Sequence, residues 1–149
     1  MLASVGARSP SAAREAWQYV GELFLSQETQ DRLHDACAVA DLTPPQLKAL
    51  LSLEADGERS MRALADNWRC DASWVTGIVD GLEERGYVQR RPHPTDRRVK
   101  VVALTPLGAK AKARVLERLY EPPDSFKALT REEQVQLRDL LAKVRSRRS

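Results

Sequence analysis

The stretch that most constrains the chain is Asp71 to Thr105, DASWVTGIVDGLEERGYVQRRPHPTDRRVKVVALT. It reads as a helix, a tight turn, a strand, a basic loop and a return strand. Asp71 suits the cap of the helix, because its carboxylate can accept from the free amides of the first turn. Val75, Ile78, Val79 and Leu82 fall at i, i+3, i+4 and i+7, one apolar stripe. The other face carries Ser73, Thr76, Gly77, Asp80 and Glu84. Gly86 can stop the helix in the left-handed conformation. Tyr87-Val88 opens a strand, Pro92 and Pro94 break it, and Thr95-Asp96-Arg97-Arg98 forms the loop tip. A β-rich return, Val99 to Leu104, closes the hairpin. From Arg85 to Lys100 there are six basic residues and one acid, Asp96. A small-residue helix face beside a basic hairpin suits double-stranded DNA. The helix enters a major groove, and the hairpin reaches phosphates or a minor groove.

The charge distribution points the same way. The net charge of +3 is too small to imply nucleic acid by itself. Residues 1–58 hold four basic and nine acidic groups, whereas residues 59–112 hold eleven basic and six acidic. Positive charge therefore gathers around the helix and hairpin, as an electrostatic footprint would.

Other classes find little support. No apolar run approaches the ~20 residues of a membrane span. The start, MLASVGARSPSAAR, lacks the long apolar core of a signal peptide. Cys37 and Cys70 have no CxxC partner, so neither a disulfide framework nor a zinc site is expected, and a reducing cytoplasm is the natural compartment. His34 and His93 lack a second ligand at metal spacing. No nucleophile–base set or phosphate-cradling glycine loop occurs, so neither an enzyme nor a cofactor is expected.

The rest of the chain reads as helices around this unit, in one domain spanning 1–149. Residues 1–10 read as a loose arm. A long helix is expected from Ser11 to about Ala38, with Trp17, Val20, Phe24, Leu33, Ala36 and Cys37 as its apolar side. Thr43-Pro44-Pro45-Gln46 is a strong helix start, a capping box with proline at the first position, and Leu42 with Leu47 can form a hydrophobic staple. That helix runs to about Leu53, and Asp56-Gly57 ends it. Ser60 caps a third helix with Met61, Leu64, Ala65 and Trp68 on one face. The break at Arg69-Cys70 then gives helix-turn-helix spacing. After the hairpin, Thr105-Pro106 starts a helix that ends before Pro122-Pro123. Thr130 with Glu133 boxes a last helix, whose stripe is Leu137, Leu140, Leu141 and Val144. The tail RSRRS is basic and reads as frayed.

The residues Ser73, Val75-Thr76, Val79-Asp80, Leu82-Glu83, Arg85-Gly86 and Val88, followed by Pro94, Asp96-Arg97-Arg98 and Leu104-Thr105, resemble the winged helix-turn-helix of the MarR-type transcriptional regulators. The Asp96-x-Arg98 wing signature with the trailing Leu-Thr is its most specific part. More weakly, the resemblance extends from about Leu23 to Val144. It implies a mainly α fold with a small β-hairpin wing. Residues 43–105 would be the DNA-binding lobe, and 11–38 and 106–147 would be dimerisation helices. It implies a homodimer on a pseudo-palindromic operator, most often as a ligand-responsive repressor. It also implies a crevice for small, often aromatic, effectors, for which Trp17, Phe24, His34 and Leu51 are candidate wall residues. Arg98 would enter the minor groove with Asp96 holding it, since a guanidinium fits the negative potential of a narrow A/T groove.

The residue chemistry distributes the remaining roles. Ser73 and Thr76 can donate to base edges or phosphates, and the Thr76 methyl can touch a thymine methyl. Arg62, Arg90, Arg91 and Arg97 are candidates for phosphate. Asp80 has the wrong charge for phosphate and suits orienting a neighbour or pairing with an arginine. Trp74 lies at the edge of the apolar stripe, with core packing as its first role and DNA-backbone contact as its second. Many relatives carry a long polar residue where this chain has Gly77 and Gly81, which bare the helix face. Two further readings stay open: a protein-interaction module with a basic hairpin for an acidic partner, and a thiol sensor acting through Cys37 or Cys70. Cys37, near the end of the first helix, is expected to be a buried thiol.

Overall fold

The computed structural model describes residues 11–54 and 57–146. The expected N-terminal arm, the Asp56 stop signal and the last three residues of the basic tail lie outside them. The elements are α1 (Ala12–Leu25), α2 (Gln27–Val39), α3 (Pro44–Ser52), β1 (Glu58–Ser60), α4 (Met61–Trp68), α5 (Ala72–Glu84), β2 (Val88–Pro92), β3 (Lys100–Leu104) and α6 (Pro106–Leu119). A short 3-10 turn (Asp124–Ala128) and α7 (Arg131–Ser146) follow. The chain forms two compact units, one ending at Leu119 and one starting at Tyr120.

The core of the first unit is built on the α5 stripe. Val75, Ile78, Val79 and Leu82 are all buried, together with Leu47, Leu50 and Leu53, Leu64, Val88, Val102, Leu104 and Val115. Burying each such side chain contributes about 1.5–3 kcal/mol. Ala36 and Cys37 join the same cluster, so α2 packs on this core while α1 buries nothing.

Local chemistry fixes where these elements begin and end. Thr43 and Gln46 form the capping box of α3: the Gln46 amide donates to Thr43 Oγ1 at 3.4 Å and the Thr43 amide to Gln46 Oε1 at 3.0 Å. Leu42 and Leu47 beside it are both buried. Ser60 caps α4. Arg69 adopts a left-handed φ of 53° in the turn to α5, and Gly86 does so at 70° where α5 gives way to β2. Gly108 has a different reason to be glycine. A Cβ there would lie 1.9 Å from the Tyr87 carbonyl oxygen, so α6 can start against β2 only without a side chain.

The sheet is antiparallel with order β1-β3-β2. Val88 pairs Leu104, Arg90 pairs Val102 and Pro92 pairs Lys100, and on the other edge Ser60 pairs Val101. The hairpin matches the expectation from the sequence, and β1 adds a third strand to it.

Helix α1 departs from expectation. The single long helix is broken at Ser26, which has an extended conformation (φ −62°, ψ 149°) and serves as both the end of α1 and the cap of α2. Its hydroxyl donates to the Leu23 carbonyl at 2.7 Å and accepts from the Thr29 amide at 3.3 Å. Thr29 Oγ1 also donates to the Leu23 carbonyl at 2.7 Å. Serine and threonine side chains here take over groups that a continuous helix would use.

In the second unit the expected Thr130–Glu133 capping box opens α7. The Thr130 amide donates to Glu133 Oε2 at 2.8 Å and the Glu133 amide to Thr130 Oγ1 at 3.3 Å. Leu140, Leu141 and Val144 are exposed on this helix. Among the described residues, no helix is long and apolar enough to cross a membrane.

Candidate nucleic-acid interface

Helices α4 and α5 with their left-handed turn form a helix-turn-helix, and α5 presents the face expected from the sequence. Ser73, Thr76, Gly77 and Asp80 are exposed on it. Asp71 caps its first turn, accepting from the Trp74 amide at 2.8 Å and from the Ser73 hydroxyl at 2.7 Å. Those two hydrogen bonds, the hydroxyl's first, hold the Asp71 carboxyl below the usual carboxylate range. The Thr76 hydroxyl turns back to the Ala72 carbonyl at 2.9 Å. A Cβ on Gly77 would meet nothing within 4 Å, whereas one on Gly81 would lie 2.1 Å from Gln46 Nε2. Gly77 is thus bare toward solvent, and Gly81 lets the capping residue of α3 lie against α5.

Trp74 is not a core residue. It is 50% exposed on the first turn of α5. Trp68, by contrast, is partly buried and donates its indole N–H to Ser52 Oγ at 3.1 Å.

The arginines divide into two groups. Arg90 on β2 is a brace. Its guanidinium pairs with Asp80 at 2.5 Å and with Glu83, and its backbone amide donates to Glu83 Oε1 at 2.9 Å. Burial pulls its pKa down, but the hydrogen bonds and attraction of Asp80 and Glu83 outweigh that and hold it above its ordinary value. Its charge is therefore spent on α5, which departs from the phosphate contact expected of it. Asp80 meets the arginine expected for it. Arg91 pairs with Glu58 across the sheet. Arg62 on α4 and Arg97 and Arg98 at the wing tip are exposed, with no side-chain partner among the described residues.

The wing tip is shaped by its own polar groups. The His93 amide donates to the Val99 carbonyl at 2.8 Å and the Val99 amide to the Asp96 carbonyl at 3.0 Å. Asp96 Oδ1 accepts from the Arg98 backbone amide at 3.0 Å. Asp96 thus holds Arg98 by its main chain and leaves the guanidinium outside.

Among the described residues, the four candidate effector residues do not all line one of the clefts described here. A cleft of about 490 Å³ lies along α2 and the turn into α3, lined by Gln30, Leu33, His34, Cys37, Asp41 and Leu42 among others. Of the four, only His34 borders it. Trp17 and Phe24 are exposed on α1, and Leu51 packs against the core. Cys37 is buried, as expected, and burial pushes its thiol pKa up. One feature has no sequence signal. Arg85 donates to the Asp41 carboxylate at 3.1 Å and to the Gly81 carbonyl at 2.8 Å, while Tyr87 Oη donates to the Ala40 carbonyl at 3.1 Å. Together they tie the α2–α3 turn, where Asp41 has a φ of 51°, to the end of α5.

A protein-family model described as "MarR family" matches residues 42–100, from the start of α3 through the wing. Residues 42–100 are thus similar to the MarR family, and the fold is that of the MarR winged-helix proteins. The multiple antibiotic resistance protein MarR of Salmonella typhimurium is 29% identical over 129 residues, covering 82% of this chain and 87% of that protein. The HTH-type transcriptional repressor IacR of Pseudomonas putida is 36% identical over 97 residues, covering 64% of this chain and 58% of the repressor. The crystal structure of apo MarR from E. coli is 25% identical with a TM-score of 0.69, covering 92% of this chain and 98% of that one. The relatives it matches include HTH-type transcriptional regulators and repressors, and none of those named here is an enzyme.

Proposed function

We propose that the chain works in the cytoplasm as a homodimer that binds a short pseudo-palindromic operator and represses transcription until a small aromatic effector releases it. The observation that carries the DNA reading is the wing tip. Arg97 and Arg98 stand exposed and unpaired at the tip of the wing, whereas Arg90 at its root is held by Asp80 and Glu83 of α5. Arg98 is assigned to the minor groove and Arg62 and Arg97 to phosphates, with Arg91 in a secondary phosphate role because Glu58 shares its charge. Ser73, Trp74, Thr76 and Gly77 are assigned to the major groove.

Two observations support the dimer. Trp17 is 71% and Phe24 68% exposed on α1, and Val144 is 70% exposed on α7. A second copy covering such faces would remove a large apolar surface from water. A two-fold dimer presents two recognition helices about one DNA turn apart, which is why a pseudo-palindrome is expected. Repression is the role named for IacR. An effector regulates only if it prefers one spacing of the two reading heads to the other.

Selection of bound fragments from random duplex DNA by the full-length protein tests this reading. Recovery of an inverted-repeat motif is the expected outcome, and recovery of no motif contradicts it. A thermal-shift screen of aromatic acids and phenols, followed by operator release, tests the effector.

A further inference from the structure

Helix α5 contains no lysine, arginine, asparagine or glutamine between Ala72 and Glu84. The bidentate reading of guanine needs Arg or Lys, and that of adenine needs Asn or Gln, so neither is open to this helix. Apart from Glu84, the last residue of the helix, its other polar side chains are engaged. The Ser73 and Thr76 hydroxyl protons go to Asp71 and Ala72, and Asp80 and Glu83 are taken up by Arg90. Gly77 offers nothing. The large group that remains is Trp74, half-exposed in the first turn, whose indole N–H makes no hydrogen bond among the described residues. The first turn is where recognition helices of this type meet base edges. Two clefts of about 270 and 290 Å³ flank the indole, both bordered by Pro45 and Ile78. The ring therefore stands as an apolar ridge.

We infer that α5 reads sequence chiefly by apolar contact, with the Trp74 indole covering the 5-methyl group of a thymine in each half-site. The thymine methyl is the apolar feature of the major groove, and it is the one an indole can recognise without a charged partner. The bare Gly77 beside it adds no competing contact. This rests on the operator reading above and specifies the base class it recognises.

The test uses the full-length protein and its selected operator. Each thymine under α5 is replaced in turn by deoxyuridine, which lacks only the methyl. At one position per half-site, binding should weaken about fourfold, the effect of losing one buried methyl group. A cytosine at that position should bind poorly, and 5-methylcytosine should recover part of the loss. Trp74→Ala should bind the thymine and uracil operators equally, while Trp74→Phe should retain part of the discrimination and controls for folding. Uracil tolerated at every position, or discrimination that persists in Trp74→Ala, overturns the inference while leaving DNA binding intact. Failure of the parent to bind any duplex overturns both this and the operator reading.

Discussion

Arg90 and Arg98 belong to one hairpin yet face different partners, and mutation should separate them. Arg90 holds Asp80 and Glu83 together, so Arg90→Ala leaves two carboxylates uncompensated at the root of the wing. We expect it to cost about 1 kcal/mol by urea denaturation, after allowing for partial solvent screening, with little change in the salt dependence of DNA binding. Arg97→Ala should instead lower the salt slope by about one, the mark of a lost phosphate contact. Arg98→Ala should weaken operator binding by ~1–3 kcal/mol and relax the preference for A/T pairs at the flanks. Unchanged affinity and flank preference in Arg98→Ala would remove Arg98 from the minor groove. A pH prediction belongs to Asp71. Its folded pKa is lowered, so its contribution is present above the unfolded value of about 3.9 and is lost as the pH falls through the folded one. The Tm gap between the parent and Asp71→Ala should be widest near neutrality and close below about pH 4. A gap that stays constant with pH would contradict the cap's ionised role. Some of this was legible in the sequence, including the Asp71 cap and the pairing of Asp80 with an arginine. That the arginine is Arg90 was not, because the turn at Gly86 decides which β2 residue returns to α5. Trp74 was misplaced because a helix wheel shows a margin without showing what covers it.

At the level of elements, periodicity and caps identified α3 to α7 and the β2–β3 hairpin, because each signal is local. Thr43–Gln46, Ser60, Asp71 and Thr130 all cap where the sequence places them. The break at Ser26 escaped because an apolar pattern can run through a corner that Ser26 and Thr29 make with their side chains. Strand β1 escaped because Glu-Arg-Ser has no alternating apolar pattern, and its pairing is supplied by β3. The joint between β2 and α6 allows a sharp test. Gly108→Ala forces a Cβ onto the Tyr87 carbonyl, a backbone atom that cannot step aside. It should destabilise the protein by about 1–3 kcal/mol in chemical denaturation. A neutral or stabilising change would mean that α6 can lift from β2 without cost.

At the level of the whole molecule, the spare apolar stripes expected at both ends of the chain are exposed on α1 and α7, each lacking a buried residue. The effector residues were the least legible part. Of Trp17, Phe24, His34 and Leu51, only His34 borders the cleft along α2, and Trp17 and Phe24 lie exposed on α1. Light scattering at micromolar concentration should give twice the chain mass, and a monomer that persists with operator DNA would contradict the dimer. The central claim is that the exposed wing cations and the α5 face bind DNA with sequence preference. Its most direct measurement is a titration of the full-length protein against the selected operator and a scrambled duplex across a series of salt concentrations. Affinity for both should fall steeply as salt rises, with the operator retaining the tighter binding throughout. A shallow salt dependence with equal affinity for the two duplexes would contradict the account.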